Sequence, residues 1–277
     1  MSRLDDKDAL ARIQAATDYP LERTADGWVV GHFFDSRLAS AYQPVFDLVE
    51  RRIVGHAVYV RCGPAPREKS AASAALGVFA LATDDPLLVR LDRLCRTVHA
   101  LNYFERAPDS LALHLAVQAR LLESVKDGHG RAFERVLDLI GVETSRVVIE
   151  IPPELNRDRR LFRHVTMNYR SRGYRIAFTH GGPADDWTAE LGSLYPDIVR
   201  VSPTALRHAN ARNVADSAHR LGAVILASGV ESEQDVTAAV RAGADLLQGH
   251  YLAEPGRNVA GVSKQALRWL QHQGCAW

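Results

Sequence analysis

The chain has 277 residues, with 34 Lys and Arg against 33 Asp and Glu, a net charge of +1, and 47% hydrophobic residues. That balance supplies a large core and excludes the global positive field by which proteins gather nucleic-acid polymers, while leaving room for a local basic pocket that takes one small anion. Three cysteines, Cys62, Cys95 and Cys275, are odd in number and widely spaced, so neither a zinc pattern nor a disulfide framework follows, and they read as incidental thiols in a reducing compartment.

The N-terminal residues, charged from Arg3 onward, lack the apolar core of a signal peptide. No run approaches the roughly 18 apolar residues that span a bilayer. A cytoplasmic protein without a membrane partner is expected. Residues 4–17 form an amphipathic helix with Leu4, Leu10 and Ile13 on its apolar side, and a mixed segment follows to Trp28-Val29-Val30. Tyr42-Gln43-Pro44-Val45-Phe46 and Arg52-Ile53-Val54-Gly55 flank a charged connection and predict a β-hairpin. Residues 66–74 are polar and read as a loop or a helix start.

Beyond them strand and helix alternate. Leu111–Val117 is strand-like, and Phe133, Val136, Leu137 and Ile140 share one helical face that ends at Gly141. Val147–Ile151 is a strand, Leu161–Tyr169 a helix stopped near Gly173, and Arg175–Phe178, Asp197–Val201 and Ala223–Leu226 are strands. Ser232-Glu233-Gln234-Asp235 opens a helix as a capping box and Gly243 closes it. Leu246-Leu247-Gln248 is a last short strand, and residues 262–272 a terminal helix. The alternation is that of βαβ units. About seven parallel strands plus a hairpin partner favour a closed α/β barrel over an open doubly wound sheet, because no Gly-rich phosphate turn follows the first strand.

In such a barrel the site lies where the strands end. The residues at those ends are Arg61, His114, Glu150, Thr179 and His180, Arg200 and Ser202, Ser228 and Glu231, and Gln248. Gly181-Gly182-Pro183 lacks the Lys-Ser/Thr of a phosphate loop and reads as a plain turn. His129 and His219 fall in predicted helical regions and read as surface residues.

Taken with their order, these residues resemble a known family. Tyr42-Gln43-Pro44, Ile53-Val54-Gly55 and Arg61 look like the opening of EAL domains, barrels that hydrolyse the bacterial messenger cyclic di-GMP. Val148-Ile149-Glu150-Ile151 is similar to the family's third-strand acid segment, Ala227-Ser228-Gly229-Val230-Glu231 to its Ala-Glu-Gly-Val-Glu motif, and Gln248-Gly249-His250-Tyr251 with Pro255 to its closing Gln-Gly motif. The resemblance implies an EAL-type (β/α)8 TIM-like barrel with an antiparallel first strand. Residues 1–38 would form a short N-terminal helical extension and residues 39–277 the barrel domain.

The departures carry as much information. On this resemblance the glutamate of the Glu-Ala-Leu motif, a metal ligand, falls on Ala57, and the second-strand asparagine ligand on His114. The paired aspartates fall on Thr179 and His180, the catalytic lysine on Arg200, its neighbouring aspartate on Ser202, and the first glutamate of Ala-Glu-Gly-Val-Glu on Ser228. Glu150, Glu231 and the phosphate-contacting Arg61 match the family, with Gln43 and Gln248. Two carboxylates are too few for a pair of hard divalent cations. A guanidinium cannot exchange protons as a lysine does.

The expectation is therefore a catalytically inactive EAL-like signalling regulator that takes cyclic di-GMP as a receptor, without a cofactor. Its ligand would be held by Gln43, Arg61, Glu150, Arg200, Glu231 and Gln248, with Tyr59 and Tyr251 available to stack a guanine. Against this stands a structural role for the two arginines, paired to Glu150 or Glu231. The alternative function is a nucleotide-independent protein–protein interaction module with a regulatory protein as partner. There Trp269 and Trp277 would be contact points, although ordinary packing of a terminal helix also accounts for them. A lesser alternative is a changed metal site of His114, Glu150 and His180. The resemblance also implies a homodimer.

Overall fold

The computed structural model describes residues 6–63, 79–80, 82–125, 128–180, 194–208 and 211–257. The loop expected at 66–74, the turn at Gly181-Gly182-Pro183, the helix at 262–272, and Cys275, Trp269 and Trp277 lie outside the described residues.

A helix, α1 (Asp6–Thr17), leads into two short strands, β1 (Leu21–Arg23) and β2 (Val29–Phe33). Two long strands follow, β3 (Ser36–Asp47) and β4 (Arg52–Cys62), forming the predicted hairpin but extending further at its open end. Then come α2 (Asp85–Phe104), β5 (Ala112–Ala116), α3 (Ala119–Ser124), α4 (Arg131–Leu139), β6 (Val147–Ile151), α5 (Arg159–Arg170), β7 (Arg175–Thr179) and β8 (Ile198–Val201). The rest is α6 (Pro203–Leu206), α7 (Ala211–Arg220), β9 (Val224–Ser228), α8 (Glu233–Ala242) and β10 (Leu246–Gln248).

The sheet closes through β3. It pairs antiparallel with β4 on one side and with β10 at Leu246 and Leu247 on the other, while every contact from β4 round to β10 is parallel. The result is a closed eight-stranded barrel with its first strand reversed. The extension holds more than a helix. β2 pairs with the outer end of β3 at Gly31↔Leu38, and β1 pairs with β2, so a small antiparallel sheet continues the long hairpin beyond the barrel. Alternation is hidden from Leu21 to Phe33 because four of the five β2 residues are buried, which removes the apolar/polar rhythm that marks a one-sided strand.

Strand residues alternate between two cores. Facing outward, Val147, Ile149 and Ile151 of β6, Ile176 and Phe178 of β7, and their equivalents pack under the helices. Facing inward, Val45, Ala112, Val148, Ala177, Ile198, Leu226 and Leu246 fill one end of the barrel. Each such side chain contributes about 1.5–3 kcal/mol if it is a Val- or Leu-sized group fully removed from water.

The helix termini follow the chemistry of their sequences. Ser232 accepts from Asp235 N and the Asp235 carboxylate accepts from Ser232 N, completing the capping box, and Gly243 ends α8 in the left-handed region. The longest described helix, α2, carries a face of Leu91, Leu94, Val98 and Leu101 together with buried Asp92, Arg96, Thr97, His99 and Asn102. His99 has partners in the barrel wall: Ser40 Oγ meets His99 Nδ1 at 2.7 Å, and the Tyr42 hydroxyl donates to His99 O at 2.9 Å. Asn102 grips β2 from both sides, accepting from Val29 N at 2.8 Å and donating to Val29 O at 2.7 Å. Among the described residues no helix is long and apolar enough to cross a membrane.

Replacing Asn102 with Ala leaves both Val29 backbone groups buried without a partner. We expect a loss of about 2–4 kcal/mol in urea denaturation, from two hydrogen bonds at roughly 1–2 kcal/mol each once the stranded groups are counted.

Candidate functional site

The site follows from strand parity. Two positions beyond each inward apolar residue, the next inward residue sits at the C-terminal end of its strand. Ala112 is followed by His114, Val148 by Glu150, Ala177 by Thr179, Ile198 by Arg200, Leu226 by Ser228 and Leu246 by Gln248. Because β3 runs the other way, Gln43 takes the same level from Val45, and its register partner across the hairpin is Ala57, itself paired with His114. The mouth is therefore a layer of polar residues standing on an apolar plug.

Four of the six predicted ligand-binding residues meet in one network. Arg200 Nη1 forms an ion pair with Glu150 Oε2, and Arg200 Nη2 donates to Gln248 Oε1 at 3.2 Å. Gln248 Nε2 donates to Gln43 Oε1 at 2.6 Å and to the Tyr59 hydroxyl at 2.7 Å. The Tyr59 hydroxyl donates to Gln43 Oε1 at 3.1 Å, and Gln43 Nε2 to Ala253 O at 2.9 Å. The remaining two stand on the rim. Arg61 is exposed and donates through Nη2 to Pro255 O. Glu231 is exposed, and its carboxylate makes no hydrogen bond or ion pair among the described residues, although its backbone N–H donates to Asp235 Oδ2 at 3.0 Å.

Gln248 reaches this position because the chain turns back sharply after it. Val230 N and Gly229 N both donate to Gln248 O, and a Cβ at Gly249 would fall 2.1 Å from Val230 O, so only glycine can follow. Ser202 lies outside the network and caps α6, accepting from Ala205 N at 3.2 Å.

The electrostatics are those of a buried, compensated charge. Glu150 is 5% exposed. Burial acts to raise its carboxyl, but the Arg200 guanidinium and the His114 ring outweigh burial and hold it below the ordinary range. Burial pushes the His114 imidazole down against the opposing pull of Glu150, so the ring is neutral near pH 7. His114 Nδ1 stands 3.5 Å from Glu150 Oε1, beyond a well-formed hydrogen bond. His114 Nδ1, Glu150 Oε1 and Arg200 Nε are buried without hydrogen-bond partners among the described residues.

Several expectations change here. The set of His114, Glu150 and His180 does not assemble: His180 follows Thr179 and has the opposite parity, Glu150 is taken by Arg200, and no three His, Cys, Asp or Glu among the described residues could hold a metal ion together. Tyr59 commits its hydroxyl to the glutamines, and its ring stays exposed at the rim. His129 is neither helical nor on the surface but 3% exposed in the turn before α4. His219 lies on α7 and is exposed, as predicted, 2.8 Å from Asp245.

A barrel with its first strand reversed and its polar layer at the strand ends is the architecture that the motifs pointed to. The model of the EAL domain matches residues 31–255, and the chain belongs to that family. It is 27% identical over 247 residues to the uncharacterized EAL-domain protein YkuI of Bacillus subtilis, covering 84% of this chain and 59% of that one. The crystal structure of YkuI with cyclic di-GMP and calcium superposes with a TM-score of 0.70 at 23% identity, over 98% of this chain and 64% of that chain. A standalone EAL protein of Vibrio cholerae O395, bound to cyclic di-GMP, gives a TM-score of 0.66 at 19% identity over 83% of this chain and 98% of its own. Klebsiella pneumoniae BlrP1 with FMN and cyclic di-GMP and no metal ions gives 0.63 at 18% identity over 81% of this chain and 55% of its own.

The ion pair sets a pH dependence. A carboxyl held low in the folded state adds stability that is full above the unfolded glutamate value of about 4.3 and is lost as pH falls through the folded value. In Arg200→Met burial is opposed only by His114, and the Glu150 carboxyl rises. We expect the variant to lose about 3–5 kcal/mol near neutral pH. The gap from the wild type should narrow as the solution is acidified through the carboxylate range, in denaturation curves recorded from pH 7 to pH 4.

Proposed function

We propose that this EAL domain binds cyclic di-GMP as a receptor, without a metal ion, and does not hydrolyse it. The observation that carries the reading is the Arg200–Glu150 ion pair in the barrel mouth. Divalent-metal hydrolysis of a phosphodiester draws on several carboxylate oxygens, both to hold the cations and to acidify the attacking water. Here one oxygen of Glu150 is committed to a guanidinium, and Ala57, Thr179 and Ser228 bring no carboxylate to the same layer. These residues do not fit a divalent cation pair. Arg200 is also unable to serve as a proton donor and acceptor at any working pH.

The same features suit a bound anion. A fixed guanidinium inside the mouth and a second, exposed one at Arg61 offer forked donors to two phosphates. BlrP1 holding cyclic di-GMP with no metal ions is consistent with metal-free binding on this fold. Residues 39–277 would form the binding domain, with 1–38 as its appended extension. A homodimer, a regulatory protein partner and action in the cytoplasm belong to the same proposal.

Calorimetric titration with cyclic di-GMP, run with Mg²⁺ and again with chelator, tests it. Binding at low-micromolar affinity or tighter, unchanged by chelator and weakened roughly 10- to 100-fold by Arg61→Ala, is the expected result. No heat in either condition sinks the receptor reading and leaves the nucleotide-independent interaction module.

A further inference from the structure

Residues 253–257 follow β10 and complete the rim of the mouth. They lie against β3, where Tyr42 N donates to Gly256 O at 2.6 Å and Gly256 N donates to Tyr42 O at 2.9 Å. Two residues of the mouth lean on carbonyls of this stretch, Gln43 on Ala253 O and Arg61 on Pro255 O. For the Arg61 side chain that carbonyl is the only hydrogen-bond partner among the described residues. An exposed arginine left loose samples many rotamers, and a ligand must order it on binding. Pro255 O orders Arg61 in advance and leaves its other N–H groups for an anion.

The far end of the stretch is held by the N-terminal extension. Arg257 Nη1 lies 2.7 Å from Asp26 Oδ2, and the guanidinium stands 5.0 Å from the centre of the Trp28 ring. Both anchors are fixed. Trp28 is 7% exposed and also carries the Arg106 guanidinium at 4.3 Å. Asp26 sits in a turn, where Thr24 Oγ1 donates to its carboxylate and Gly27 N donates to Thr24 O at 2.8 Å. Directly after Trp28, β2 begins and pairs with β3 at Gly31↔Leu38, beside Ala39, the register partner of Arg61. The anchor of Arg257 and the strand that carries Arg61 thus belong to one small sheet.

Arg257 and Asp26 are about half exposed, and an exposed ion pair adds little to the stability of a fold. Its consequence is local: it decides where residues 253–257 lie.

We propose that Arg257 is a positioning residue for the mouth. Latched to Asp26 and Trp28, it keeps Pro255 O in place to orient Arg61, and through it the extension sets the affinity for the cyclic dinucleotide. The inference rests on the receptor reading of the mouth.

Calorimetric titration of the full chain with cyclic di-GMP tests it. Arg257→Gln and Asp26→Asn, the latter keeping an acceptor for Thr24, should each weaken binding roughly 3- to 10-fold while Tm stays at the wild-type value. Arg257→Lys, which keeps a cation between Asp26 and Trp28, should recover most of the affinity. In an Arg61→Ala background Arg257→Gln should have no further effect, because the residue acts through Arg61. Unchanged affinity in Arg257→Gln, or the same loss with and without Arg61, overturns the proposal. Amide hydrogen exchange keeps this separate from the receptor reading. If the wild type binds nothing, the receptor reading falls, and the latch stands only if the Tyr42 and Gly256 amides exchange faster in Arg257→Gln. Wild-type rates at both amides overturn it whatever the ligand.

Discussion

A carboxylate buried at the end of β6 must be compensated, and the chemistry of the barrel mouth is organised around that requirement. Glu150 stands on the apolar plug at 5% exposure. An uncompensated charge in that position would be neutralised by protonation or expelled. Arg200, projecting inward from β8, supplies the counter-charge. Its remaining N–H groups then fix Gln248, which in turn fixes Gln43 and Tyr59. A single ion pair thus orders residues from five of the eight strands. The same pair makes the mouth a place where fixed cationic donors, rather than a cluster of acids, face an incoming molecule.

The reversed first strand makes this arrangement possible. Because β3 is antiparallel to both neighbours, it brings Gln43 to the mouth level from the opposite chain direction, and its bridge from Tyr42 to Gly256 holds the segment after β10 against the rim. Arg61 and Gln43 donate to carbonyls of that segment at Pro255 and Ala253. Arg257 continues it outward to Asp26, 2.7 Å away, and lies over the Trp28 ring. Through these contacts the extension, the rim and the floor of the mouth share one short stretch of chain.

The barrel was legible in the sequence because its strands are short apolar runs separated by helices of clear period, with Gly141, Gly173 and Gly243 marking helix ends. Strand ends gave the mouth, since parity projects every second residue inward, and this brought Gln43, Glu150, Arg200 and Gln248 together as expected. What escaped was polar burial. The longest described helix, α2, was not recognised because Asp92, Arg96, Thr97, His99 and Asn102 interrupt its apolar face: Asp92 pairs with Arg96 and Thr97 with Arg93 O along the helix, while His99 and Asn102 find partners distant in sequence. Asp84 ahead of Pro86 was the available signal, a cap followed by proline in the first turn. His129 looked like surface for the same reason. His180 appeared beside Glu150 because proximity to a strand end was read without the parity that sends it away. The commitment of the Tyr59 hydroxyl needed the register of the hairpin, which composition does not encode.

The most direct measurement of the central claim is a hydrolysis assay of cyclic di-GMP with the full chain, in Mg²⁺ and in Mn²⁺, following the linear dinucleotide product. The account predicts no turnover above the protein-free blank with either metal. Metal-dependent turnover that disappears in Glu150→Gln would contradict it, because it would mean that the Arg200–Glu150 pair opens to admit the cations it is argued to exclude.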